Sequence, residues 1–162
     1  MSQTVTDELT PEGKRFMEEI AQLARLEVAV GFQNGTVHKK RGGGKGKPQQ
    51  PITVAEVAAV NDLGIGRTPS RPFLRNSVDL HAKEIQNFGG GLAKILVKGG
   101  TAEEMLKALG VFQKGIVQKE ILEGHYLPNS PRTIKRKGSS KPLIDTGQML
   151  QSVTFVVRER KG

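Results

Sequence analysis

Thr133-Ile-Lys-Arg-Lys-Gly-Ser-Ser-Lys-Pro-Leu-Ile-Asp-Thr-Gly-Gln-Met-Leu-Gln-Ser-Val-Thr-Phe-Val-Val157 is the stretch whose reading decides the fold of this chain. It opens with a basic helical turn, Thr133 to Lys137, and continues through a Gly-Ser-Ser loop that ends at Pro142. A helix start follows, where the side chain of Asp145 or Thr146 can accept from a free backbone N–H and Gln148 can reach back to the cap. Val153-Thr-Phe-Val-Val157 is a β-branched and aromatic run, which reads as a strand. These residues suggest no reaction, so the segment reads as a structural joint.

A terminal strand needs a partner, and Leu26-Glu-Val-Ala-Val-Gly-Phe32 supplies one. Leu26, Val28, Val30 and Phe32 alternate with smaller or charged residues, the period of a half-buried strand. Before it, Thr10-Pro11 starts a helix whose apolar positions Phe16, Ile20 and Leu23 fall on one side. After it, Gln33 to Pro51 is rich in glycine, lysine and glutamine, which cannot offset chain entropy by burial, so a mobile basic loop is expected. Thr53-Val-Ala-Glu56 then makes a capping box for a short helix that Gly64 stops.

Beyond Pro72, Leu74, Val78, His81, Ile85, Phe88, Leu92 and Ile95 recur at heptad-type spacing, which predicts one long helix ending at Gly99-Gly100. Gly89-Gly-Gly91 predicts a break or kink within it, since each glycine costs about 1 kcal/mol of helix propensity relative to Ala. Thr101-Ala-Glu-Glu104 caps a second helix that runs to Gly124. Its predicted stripe is Met105, Leu109, Phe112 and Ile116, with Ala108 and Gly115 allowing close approach of a neighbouring helix. A short turn between the two helices implies an antiparallel hairpin. The expected architecture is a polar arm over residues 1–9 and one α+β domain over 10–162, a small antiparallel sheet with two long antiparallel helices packed on one face.

Composition narrows the function classes. A chain of 162 residues can bury a proper core, and with no Trp and few aromatics that core must be mostly aliphatic. The absence of Cys excludes disulfides and thiol chemistry. No segment approaches the roughly 18 apolar residues that span a bilayer. The first residues lack the basic and apolar regions of a secretory signal, so synthesis and assembly in a cytoplasm are expected. The net charge of +9 is concentrated in two places. Lys39, Lys40, Arg41, Lys45 and Lys47 lie in the loop, and Arg132, Lys135, Arg136, Lys137 and Lys141 lie in and beside the basic turn, with no acid in either stretch. Either patch can meet a phosphate backbone or an acidic protein surface.

Apparent catalytic signals do not survive inspection. Asp145-Thr-Gly147 matches the loop of aspartic proteases, but those need strands and a covering flap after the loop, and too little chain follows here. Gly42-Gly-Gly-Lys-Gly-Lys-Pro48 lacks the glycine spacing and the Ser or Thr of a phosphate-cradling loop. His38, His81 and His125 have no ligand spacing, so neither a metal nor a cofactor is expected. His81 reads as a core-edge or interface residue. Arg71-Pro-Phe-Leu-Arg75 presents residue types favoured at interfaces, with Phe73 either exposed for a partner or stapling a helix to the sheet.

Three stretches also carry a resemblance. Val54-Ala-Glu-Val-Ala-Ala-Val-Asn-Asp-Leu-Gly64, Pro69-Ser-Arg-Pro-Phe-Leu-Arg75 and Pro142-Leu-Ile-Asp-Thr-Gly-Gln-Met-Leu-Gln-Ser152, the last preceded by Thr133-Ile-Lys-Arg-Lys137, resemble in order the landmarks of tail-completion (neck) proteins of long-tailed bacteriophages. The long insert at Gln33 to Pro51 departs from that pattern. The resemblance implies a structural virion protein that oligomerises into a ring at the head–tail junction, of six copies in related phages. It also implies neighbouring neck or tail-terminator and head-completion proteins as partners. Arg71, Phe73, Arg75, Lys135, Arg136 and Lys137 are the candidate interface residues, and no membrane or small-molecule substrate is expected. The alternative is a sequence-indifferent DNA-binding accessory, for which Lys39, Lys40, Arg41, Lys45 and Lys47 would contact phosphates. Neither basic patch interleaves aromatics for base stacking.

Overall fold

The computed structural model describes residues 9–33, 35–37 and 51–161, so the five cations proposed for phosphate contact, Lys39 to Lys47, lie outside the described residues. Helix α1 (Pro11–Arg25) leads into strand β1 (Leu26–Phe32), followed by helices α2 (Val54–Leu63), α3 (Phe73–Asp79), α4 (Ala82–Val97) and α5 (Ala102–Glu123). Helices α6 (Pro131–Lys137) and α7 (Gln148–Gln151) and strand β2 (Val153–Glu159) complete the chain. The architecture is α+β, with a two-stranded antiparallel sheet in which Val30 stands opposite Phe155 and Phe32 opposite Val153.

Local chemistry explains most of these boundaries. Thr10 Oγ1 accepts from Gly13 N at 3.2 Å with Pro11 in the first turn, so α1 starts where a capping hydroxyl meets a residue without an N–H. Thr53 with Glu56 and Thr101 with Glu104 both form reciprocal capping boxes. At the start of α5 a further N–H, that of Ala102, donates to Glu19 Oε2 of α1 at 2.7 Å, tying the two helices together. Gly64 ends α2 at φ 72°, and a Cβ there would meet Ser70 N at 2.6 Å, so only glycine permits this turn.

Helix α5 is buried on two faces, of which periodicity singled out one. Phe112, on the expected stripe, stacks on Phe88 of α4 with ring centroids 4.0 Å apart, so that stripe serves the helical hairpin. The sheet receives the other face, which includes Leu106, Gly110, Val117 and Ile121. α5 lies on both strands, and α4 packs on α5. Close approach falls at Gly110, where a Cβ would come within 2.3 Å of the Phe155 ring, whereas Gly115 has open space around it.

The predicted break is also relocated. α4 runs without interruption through Gly89, Gly90 and Gly91, none of which faces a neighbour closely. The Phe88–Phe112 stack before them and buried Leu96 after them anchor both ends of the helix, which outweighs the propensity cost. The break lies instead at Leu80 and His81, between α3 and α4. There His81 Nδ1 meets Glu84 Oε2 at 2.9 Å and His81 Nε2 meets Glu120 Oε1 of α5 at 3.3 Å. Tyr126 Oη donates to the other Glu120 oxygen at 2.7 Å. The core proper joins Val54, Ala58, Phe73, Val117, Ile121, Leu143, Met149 and Val153.

Two measurements check this packing. Gly110→Ala is expected to lower unfolding stability in urea by about 1–3 kcal/mol through overpacking against Phe155, whereas Gly115→Ala is expected to raise it by up to about 1 kcal/mol. Hydrogen bonding to Glu84 raises the His81 pKa, with burial opposing and Glu120 adding to the rise. That stabilisation is therefore complete below the unfolded-state value of about 6.5 and fades as pH rises through the higher folded-state value. Urea midpoints across that window should fall with pH in the parent chain and stay flatter in His81→Asn.

Candidate functional site

At one end of the core a single side chain, that of Arg71, joins the turn after α2, α2 itself and the loop after α5. The turn after Gly64 folds the chain back on α2, with Arg71 N donating to Asn61 O at 2.8 Å and Ser70 Oγ to Asp62 O at 2.9 Å. This drives Arg71 inward until it is 4% exposed. Its guanidinium donates from Nε to Leu127 O at 3.1 Å, from one terminal nitrogen to Asn61 Oδ1 at 3.1 Å, and from the other to Asn129 Oδ1 at 2.9 Å. The two asparagines are themselves held: Asn61 Nδ2 donates to Val57 O at 2.9 Å and Asn129 Nδ2 to Lys141 O at 3.3 Å.

Every one of those acceptors is neutral. Among the described residues no carboxylate lies within ion-pair distance of Arg71. Burial draws the guanidinium below its ordinary pKa, yet a guanidinium stays charged in a protein. Here, then, is an interior cation that the chain solvates with amides and a carbonyl rather than neutralises.

Beside it lies a cavity of about 510 Å³. Its lining includes Arg67, Arg71, Arg136 and Lys137, and among the described residues Asp145 is the one carboxylate in its wall. Lys137 Nζ donates to Pro142 O at 3.1 Å. Desolvation lowers the Lys137 pKa, Asp145 pulls the other way, and Arg71 and Arg136 push it down further. Asp145 Oδ1 is buried without a hydrogen-bond donor, a condition that costs roughly 1–3 kcal/mol or more for a charged group.

The Asp145-Thr-Gly147 loop departs from its expected task. Thr146 Oγ1 accepts from Gln148 N at 3.3 Å from the position before the N-cap, a local turn contact at the start of α7 rather than a side-chain cap. Asp145 is not the cap either: its Oδ1 faces no donor, and Gly147 with φ 76° stands at the N-cap position. Gln148 Nε2 donates to Val37 O at 2.7 Å, an attachment to the described part of the long insert. Among the described residues the loop faces no second carboxylate across the cavity, and no group of three His, Asp or Glu could hold a metal ion.

The candidate interface residues separate. Arg71, Arg136 and Lys137 come together on the cavity, while Arg75 and Lys135 are exposed elsewhere. Phe73 is corrected from an exposed anchor to a core residue at 0% exposure, edge-to-face on Phe32 with centroids 6.1 Å apart. Of its two sequence readings, the staple of helix to sheet is the one observed. Arg71 likewise is interior, because its hydrogen bonds outcompete solvent for it. Arg67, Asn61 and Asn129 went unrecognised in the sequence; the one available signal was Asn61 on the otherwise apolar side of α2 with Val54, Val57 and Ala58.

What the fold defines is therefore a small α+β body with a cationic joint between its loops. Comparison with protein-family models, with curated proteins and with solved structures finds no match to the chain. No described helix is long and apolar enough to cross a membrane.

Removing the joint should loosen all three segments at once. Arg71→Met is expected to cost roughly 2–4 kcal/mol by leaving Asn61, Asn129 and the Leu127 carbonyl without their donor, while Arg75→Met on the surface should stay within about 0.5 kcal/mol. Urea denaturation of the two variants side by side makes the comparison.

Proposed function

We propose that this chain is a structural virion protein of a tailed bacteriophage, a tail-completion or neck component that forms a ring at the head–tail junction and helps join tail to head. The carrying observation is convergence. Val54 to Gly64 contributes Val57 and Asn61 to the cavity wall, Pro69 to Arg75 contributes Pro69 and Arg71, and Pro142 to Ser152 contributes Leu143 and Asp145 to Met149. Val54, Ala58, Phe73, Leu143 and Met149 of the same stretches share one core cluster. The stretches that resemble the neck family thus build one unit, as they would if they described one fold rather than three chance matches.

Surface chemistry supports an assembling body. Helix α1 has no buried residue, and Met17 and Ile20 on it are exposed, as are Leu9 before it and Val97 of α4. Leu63, Ile65, Val78 and Leu80 are exposed as well. So much apolar surface on a small body suits contacts with sister subunits and with adjoining rings. The α6 cations Lys135 and Arg136 remain on the surface, where DNA threading the ring would pass near them.

Native mass spectrometry and electron microscopy of the purified chain, alone and with the products of its neighbouring genes, test the proposal. A closed ring, or one that forms on adding those products, is expected. A chain that stays monomeric with them and instead binds duplex DNA with steep salt dependence would replace this reading with the DNA-binding one.

A further inference from the structure

We infer that the cavity beside Arg71 is a receptor for an acidic polypeptide segment, a carboxylate-bearing stretch of a partner that docks among Arg71, Arg67, Arg136 and Lys137. The first ground is charge. Among the described residues four cations and a single carboxylate line the cavity, and one of the four is a guanidinium buried to 4% exposure whose described partners are all neutral. A buried charge is expensive unless something compensates it, and a carboxylate entering from the cavity side compensates this one.

The second ground is unused bonding capacity. A guanidinium has five N–H donors, and Arg71 commits one from Nε and one from each terminal nitrogen. Each terminal nitrogen therefore keeps one N–H for a further acceptor, and a carboxylate is a strong one for a guanidinium.

Size and wall chemistry select a polypeptide over other anions. At about 510 Å³ the cavity falls in the roughly 300–1,000 Å³ range of sites that enclose a drug-sized ligand, room for side chains of an entering segment and more than a single phosphate fills. Its wall also offers apolar surface from Val57, Pro69, Pro128, Leu143 and Met149, which aliphatic side chains use and a phosphate does not. Asp145 repels a doubly charged phosphate, whereas a polypeptide brings main-chain N–H groups, the kind of donor that Asp145 lacks. A nucleic-acid duplex is too wide to enter a cavity between loops.

This inference rests on the assembly reading only in taking the partner to be a protein, and the two fail separately. The test uses the full chain, isotope-labelled for NMR, titrated with a fluorescein-tagged hexaglutamate peptide; parallel titrations use inorganic phosphate and a short DNA duplex. Arg71 is left intact because its bonds hold the fold, and the exposed rim residues are changed together as Arg67→Glu with Arg136→Glu. Saturable peptide binding is expected, shifting the Arg71 side-chain N–H and the Thr146 and Gly147 amide signals. Binding should weaken about tenfold or more in the double variant, or about 1.4 kcal/mol. An absence of peptide binding, equal binding by the double variant, or tighter shifts of the same signals by phosphate or DNA would each overturn the receptor. None of these outcomes bears on whether rings form.

Discussion

β1 and β2 stand near opposite ends of the described chain, and a two-stranded ribbon is marginal by itself in water. What makes this one persist is the face of α5 laid across both strands, brought so near that the Phe155 ring occupies the space a side chain at Gly110 would need. The rest of the molecule hangs from the same helix. α4 attaches through the Phe88–Phe112 stack, the α3–α4 bend through His81 on Glu120, and α1 through Glu19 on the first turn. Shape complementarity at one glycine thus sets the distance on which the other contacts are built.

The Arg71 joint works by a different kind of force. A buried cation bonded to amides adds little net stability, since its desolvation offsets much of what the hydrogen bonds contribute. Its effect is to define position: the loop carrying Leu127 and Asn129 and the last turns of α2 at Asn61 are held against the turn that carries Arg71, because both supply acceptors to the same planar group. The consequence is a cavity with fixed walls and surplus positive charge, placed where α6 and the Asp145 loop bring Arg136, Lys137 and Thr146 alongside. Structure and charge are therefore linked at this end of the molecule, because the residue that orders the loops is also part of the surface they enclose.

Local rules carried the reading far wherever a residue acts on its own neighbours. Thr10 with Pro11, Thr53 with Glu56, Thr101 with Glu104 and the glycine at position 64 all stand at the helix ends their chemistry favours. Both strands lie where period-2 runs put them, and they pair with each other. The same rules misled where two elements share a residue. The seam from Leu74 to Ile95 looked continuous because its spacing bridges the bend at His81 by coincidence; α3 and α4 both pack on α5, but Val78 of the seam is exposed and α3 buries Phe73 and Ser77 instead. Gly89 to Gly91 looked like a breaker because propensity counts only the helix itself, not the aromatic stack that holds it.

By itself the sequence determined most of the elements and their order, the α+β class and the two strands that pair, since periodicity and capping are properties of adjacent residues. Only the tertiary structure decided which glycine admits a neighbour, that Phe73 and Arg71 turn inward, and that Arg67, Arg136, Lys137 and Asp145 share one cavity. Those facts depend on segments far apart in the chain arriving at the same place, and no local pattern encodes where a side chain's distant partners will stand.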